Sequence, residues 1–186
     1  MSLKDFVRHA LEMQRNDLLR SLHGLTPEDL AWRPAEQGNA IGFLAWHMAR
    51  VEDMWVQRVF QGKQQLWQSD GWSGRLGMEA YARDNGFGFD EAKLAAFRPP
   101  ALPLLLAYMD AVRQKTLAFL DGWDANGAPV QAVLPWDKGV TLGIERFWAQ
   151  ILWELNQHSG QAAYVRGLRR ALVDAKYMGP VLTPGA

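Results

Sequence analysis

At 186 residues the chain is long enough to bury a sizeable core, and 48% hydrophobic against 22% charged residues excludes a disordered polymer. Twenty basic and twenty acidic residues cancel, so the electrostatic footprint of a nucleic-acid binder is missing. With no cysteine, disulfides, thiolate ligands and a cysteine nucleophile are all excluded. Any metal is left to His and carboxylates, and any thiol chemistry to a thiol carried in by a small molecule.

The first periodic segment runs from about Leu3 to His23, with Ser2 as N-cap and Asp5 as its capping-box partner. Phe6, Ala10, Met13, Asp17 and Leu18 trace its mostly apolar face. These opening residues are amphipathic and charged, unlike a secretory leader. No apolar run approaches the ~20 residues that span a bilayer, so a cytoplasmic, membrane-free protein is expected. In LTPEDLAWRP, Thr26 caps a short element with Pro27 at its first position.

A second long helix is expected over Ile41 to Gln61, with Asn39 as N-cap and Gly62 as terminator. Leu44, Met48, Val51, Trp55 and Val59 make its inward stripe. Residues 63–99, with five glycines, form a long excursion with short helical turns near Met78–Arg83 and Asp90–Ala96. Loops of that length in a compact domain are usually functional, often as lids or pocket walls.

Pro99 and Pro100 lead into a third helix over Ala101 to Gly122, with Leu105, Met109, Val112, Thr116, Phe119 and Leu120 inward. The stretch 124–143 reads as loop, in which Asp137, Lys138 and Gly139 supply turn chemistry for a short hairpin. A fourth helix spans Ile144 to Val173. The pattern is all-α: a four-helix bundle over residues 1–175, then an irregular tail over 176–186. The Arg166, Arg169, Arg170 cluster reads as a favourable helix C-terminus rather than a phosphate grip.

On the fourth helix Ile144, Trp148, Ile151, Leu155, Ala162 and Val165 define a seam whose missing member is His158. An imidazole in place of an apolar side chain is costly unless hydrogen-bonded or ligated. Glu154 lies one turn earlier and projects to the same side, the spacing by which one helix offers two ligands. His47 borders the apolar stripe of the second helix. If the second and fourth helices are neighbours, it completes a His2Glu set suited to Zn2+, Ni2+, Mn2+ or Fe2+. The bland alternative is a set of hydrogen-bonded core histidines with an edge carboxylate. His9 and His23 have no partner at ligand spacing and read as surface residues. Gly160, two residues after His158, reads as permitting close helix approach.

Nine tryptophans suggest a wide pocket or an aromatic subunit interface. Trp46, Trp148, Arg50 and Gln161 are the candidate substrate-pocket residues: the tryptophans stand beside the ligands in sequence, with core packing the alternative for Trp148, and Arg50 follows His47 by three residues as a carboxylate binder or a solvated arginine. Trp153 and Tyr164 fall opposite the seam, which points to a homodimer interface or packing by the excursion.

The segment LTPEDLAWRPAEQGNAIGFLAWHMARVEDMW, Leu25 to Trp55, resembles the start of the DinB-like bundle family, where a W-x-P turn precedes a helix bearing the first metal ligand. LWELNQHSGQAAYVRGLRR resembles that family's fourth-helix motif H-x-x-x-H-x-G-Q, with His158, Gly160 and Gln161 matching. Position 154 is Glu where many members have His, which resembles the His, Glu, His set of the mycothiol-dependent maleylpyruvate isomerase branch. The resemblance runs from residue 1 to about 173 and fades between 62 and 100. It implies a divalent-metal-dependent enzyme acting on a small-molecule substrate, most simply a transferase using a low-molecular-weight thiol. A metal-dependent hydrolase on the same site and a non-catalytic stress-response bundle are the alternatives.

Overall fold

The computed structural model describes residues 1–78, 84–124, 131–134 and 137–173. The expected tail 176–186 and all but the first residue of the expected turn 78–83 lie outside the described residues. The elements are α1 (Leu3–Leu22), α2 (Pro27–Ala31), α3 (Ile41–Asp53), α4 (Leu66–Ser69), α5 (Trp72–Arg75), α6 (Glu91–Ala96), α7 (Leu102–Gly122), β1 (Gln131–Leu134), β2 (Asp137–Gly143) and α8 (Ile144–Val173). A π-helical stretch, Met54–Phe60, prolongs α3. The long helices close a ring, with α8 against α1 and α3, and α7 against α3 and α1. The architecture is all-α apart from one small antiparallel hairpin, β1 with β2, which carries a register irregularity between Val133 and Leu134. No described helix is long and apolar enough to cross a membrane.

Local chemistry explains the helix starts. Ser2 and Asp5 form the reciprocal capping box of α1, and Thr26 and Asp29 that of α2, each satisfying two otherwise orphaned donors. Asp90 caps α6 through Lys93 N. Asn39 does not cap α3: the cap position is Ala40, with no side-chain acceptor, and the first turn is instead fully buried. Every residue of α3 is buried, so this helix is the axis of the core, and its polar members need internal partners. Asp53 accepts from the backbone N–H groups of Leu66 and Trp67 at 2.9 and 3.0 Å, capping α4, and from the Tyr108 hydroxyl at 2.9 Å.

The expected inward residues of α3, α7 and α8 are buried, except that Phe119 is half-buried. The expected face of α1 is corrected. Phe6 and Met13 are exposed, and the buried face is Val7, Leu11, Gln14, Leu18, Ser21 and Leu22. Gln14 belongs inside because its amide donates to Ser159 Oγ at 2.8 Å and its carbonyl accepts from Arg113 at 2.8 Å. Arg113 also clasps both oxygens of the buried Glu52 and donates to the Leu11 carbonyl. One guanidinium thus joins α1, α3 and α7, and Gln14 extends the network to α8.

Arg170 lies in the last turn of α8, as expected, and the three arginines also tie α8 to the end of α1 and to α2. Arg166 donates to the Ser21 and His23 carbonyls at 2.8 and 2.7 Å, Arg170 reaches Gly24 O, and Arg169 pairs with Asp29.

Candidate metal centre

His47 from the middle of α3 and Glu154 and His158 from α8 converge where those two helices touch. Both His47 Nε2 and His158 Nε2 lie against one carboxylate oxygen, Glu154 Oε1, at 3.1 and 3.0 Å. The imidazole planes stand at 83° with centroids 4.8 Å apart. One ligand atom from each residue falls within 4.8 Å of the others, the only such group of three among the described residues.

The far side of each imidazole is held as well. His47 Nδ1–H donates to the backbone carbonyl of Asn85, and the ring stacks on Phe43 at 3°. His158 Nδ1–H donates to Gln161 Oε1 at 2.7 Å. Each ring therefore faces an acceptor on both nitrogens, an arrangement a neutral imidazole cannot satisfy because it carries a single N–H. A divalent cation at the two Nε2 atoms and the carboxylate removes that shortage, with each Nδ1–H kept on its acceptor as a metal-binding histidine requires. The donor set, two imidazole nitrogens and one carboxylate, fits such an ion.

The electrostatics agree. Hydrogen bonds from His158 and His47 hold the Glu154 carboxyl down to about 2 despite its partial burial. Burial alone pulls His158 down, but its hydrogen bonds to Glu154 and Gln161 and the Glu154 charge outweigh this and leave it above the ordinary histidine value.

The triad opens on a cavity of about 1120 Å3. The excursion supplies one wall, 85–89 with Leu94; α3 and its π-helical extension supply Val51, Met54, Trp55 and Arg58; α8 supplies Gln150, Trp153 and Gln157. The turn at 85–86 is what brings the excursion onto His47. Asn85 is buried, and its side-chain carbonyl accepts from Phe87 N at 3.0 Å. Gly86 has φ +93°, and a Cβ there would lie 2.8 Å from Phe43 Cζ and 3.1 Å from His47 Nδ1. We therefore expect Gly86→Ala to cost about 1–3 kcal/mol and to weaken metal affinity by displacing His47, read by thermal melting and metal titration.

The other sequence candidates fall elsewhere. Arg50 is fully buried beneath the site's helix, donating to Gln65 Oε1 at 2.8 Å and stacking on Trp67 at 4.3 Å. Three residues after His47 is the wrong part of the turn for the cavity. Trp46 and Trp148 are core residues packed on Phe97 and Phe147. Gln161 touches His158, not the cavity. Trp153 is exposed yet lines the cavity mouth, and Tyr164 is exposed. His9 and His23 are exposed. Gly160 faces open space, so the close-approach glycine of the site is Gly86 and not Gly160. Arg58 and the 85–89 turn escaped sequence reading. Arg58 is signalled by the stripe His47, Val51, Met54, Arg58, at spacings of four, three and four.

Comparisons with known proteins follow this geometry. A structure described as the conserved protein of locus from Enterococcus faecalis superposes with a TM-score of 0.76 at 19% identity, covering 90% of this chain and 97% of that one, a likeness of fold. A comparison with curated proteins gives no match. The family model for mycothiol S-transferases matches residues 6–171, nearly the whole chain, and the protein belongs to that DinB-like family.

Proposed function

We propose that the chain is a divalent-metal-dependent transferase that joins a low-molecular-weight thiol, mycothiol or a close relative, to a small electrophile. The observation that carries this reading is the convergence of His47, Glu154 and His158 at the inner end of a cavity large enough for two small molecules. Family membership supplies the thiol, and a chain without cysteine must receive its sulfur from outside. Bound by the three side chains, Zn2+, Ni2+, Mn2+ or Fe2+ supplies a Lewis acid that lowers the pKa of a thiol near neutral pH. Asn85 and Gln161 keep the imidazoles aimed, while Val51 and Trp55 exclude water and strengthen the local charges. In the overall reaction the sulfur forms a bond to the electrophilic carbon and the leaving group departs with its electron pair. The thiol proton passes to water.

Metal content of the purified protein by plasma mass spectrometry, with His47→Ala beside it, is the first test. Near-stoichiometric metal in the wild type, lost in the variant, is expected, together with thiol consumption only in the metal-loaded wild type. A hydrolase on the same site would instead turn over esters or amides without added thiol. Metal-replete protein inert toward mycothiol across a broad panel of electrophiles would overturn the transferase reading.

A further inference from the structure

The cavity contains a charge that the proposed metal site does not use. Arg58, on the π-helical extension of α3, is half-buried and lines the cavity. Arg15, Arg50, Arg113 and Arg169 each meet a carboxylate: Asp110, Asp53, Glu52 and Asp29. Arg58 makes no hydrogen bond or ion pair with the described residues. Among the described residues Glu154 is the only acid of the lining, and its Oε1 is already shared by two imidazoles. No other carboxylate of the described lining is left to neutralise the Arg58 guanidinium, so with or without a metal on the triad the cavity wall offers a free cation to an anion. A planar guanidinium in an apolar wall matches a carboxylate through two parallel N–H donors, and the low dielectric strengthens the pair.

We propose that Arg58 is the anion-binding residue of this cavity and that it selects, as acceptor, a flat electrophile carrying a carboxylate several bonds from its reacting carbon. The spacing sets that length. Arg58 follows His47 by eleven residues, roughly 15 Å along the helix axis, and the guanidinium reaches back over part of that span. The flatness follows from Trp55 and Trp153, whose indole rings line the cavity. The anion-binding assignment stands on the cavity alone; the word acceptor rests on the transferase reading, and the two are tested separately.

Titration calorimetry of the full chain with 2-naphthoate and with 2-naphthamide, metal-loaded and chelator-treated, tests the assignment. The carboxylate is expected to bind at least roughly tenfold more tightly than the amide in both metal states, the scale of one charge-assisted hydrogen-bond pair. Arg58→Gln should erase the preference without changing the melting temperature, and Arg58→Lys should restore part of it. A preference that survives in Arg58→Gln, one that vanishes with the metal, or no binding of 2-naphthoate would each overturn the proposal. Turnover with mycothiol then separates the readings. A higher KM for 4-chloro-3-nitrobenzoate but not for its carboxamide in Arg58→Gln supports the acceptor selection. Transfer that favours the carboxamide in the wild type overturns that selection and leaves the transferase standing.

Discussion

His158→Leu is expected to leave the chelator-treated protein as stable as the wild type, or more so, while abolishing every stability gain from metal. Leu completes the run Ile151, Leu155, Ala162, Val165, all buried, and removes a polar ring from a half-buried position. A metal held a thousandfold above its dissociation constant stabilises the native state by about 4 kcal/mol, which for a chain of this length raises the melting temperature by roughly 10 °C. The wild type should show that gap between metal-loaded and chelated samples; the variant should show none. The gap should also shrink as pH falls from 8 toward 5.5. Protons compete with the cation for His158 Nε2, and the raised pKa of His158 starts that competition earlier than in an ordinary histidine. A gap of full size in His158→Leu would place the metal elsewhere.

The second large effect is on the fold itself. Arg113→Met leaves Glu52 buried and charged with neither oxygen paired to a guanidinium, and removes donors from Gln14 Oε1 and the Leu11 carbonyl. Removing one partner of a buried pair costs about 3–5 kcal/mol, against a total stability of about 5–15 kcal/mol for a typical domain. Urea denaturation should show a midpoint loss of that size. Arg113→Met combined with Glu52→Gln should recover a substantial part, because the uncompensated charge is then gone. Equal losses in the single and double variants would show that the pair contributes packing rather than charge balance.

Sequence periodicity exposed the four long helices because apolar side chains recur at helical spacing on α3, α7 and α8, and the imidazole at 158 interrupts one of those runs. Glu154 was legible for the same reason, one turn before it. What stayed hidden lies in tertiary chemistry. Gln14 reads as a surface residue until Ser159 and Arg113, 145 and 99 positions away, are seen to satisfy it. Arg50 and Arg58 are equivalent as letters on one helix. Only the surrounding elements make the first a core residue held by Gln65 and Trp67 and the second a cavity wall. Gly86 is one glycine among many in the excursion, and its φ of +93° against Phe43 and His47 distinguishes it. The small α4 and α5 went unread because α4 is capped by Asp53 from another helix, a signal absent from their own residues.

The closure of the helix ring by α1 on α8 sets a timetable for synthesis. Helix α1 leaves the ribosome well before α8, against which it packs, and the carbonyls at its C-terminus meet Arg166 and Arg170 only once α8 has been made. At the usual pace of translation the residues between Leu22 and Ile144 take roughly 6–24 s to appear. During that interval Val7, Leu11 and Leu18 have no α8 to cover them, and His47 has neither Glu154 nor His158. On the proposed reading, metal capture by this triad therefore waits until α8 has been made. Until α8 arrives, the apolar face of α1 is exposed to other partners.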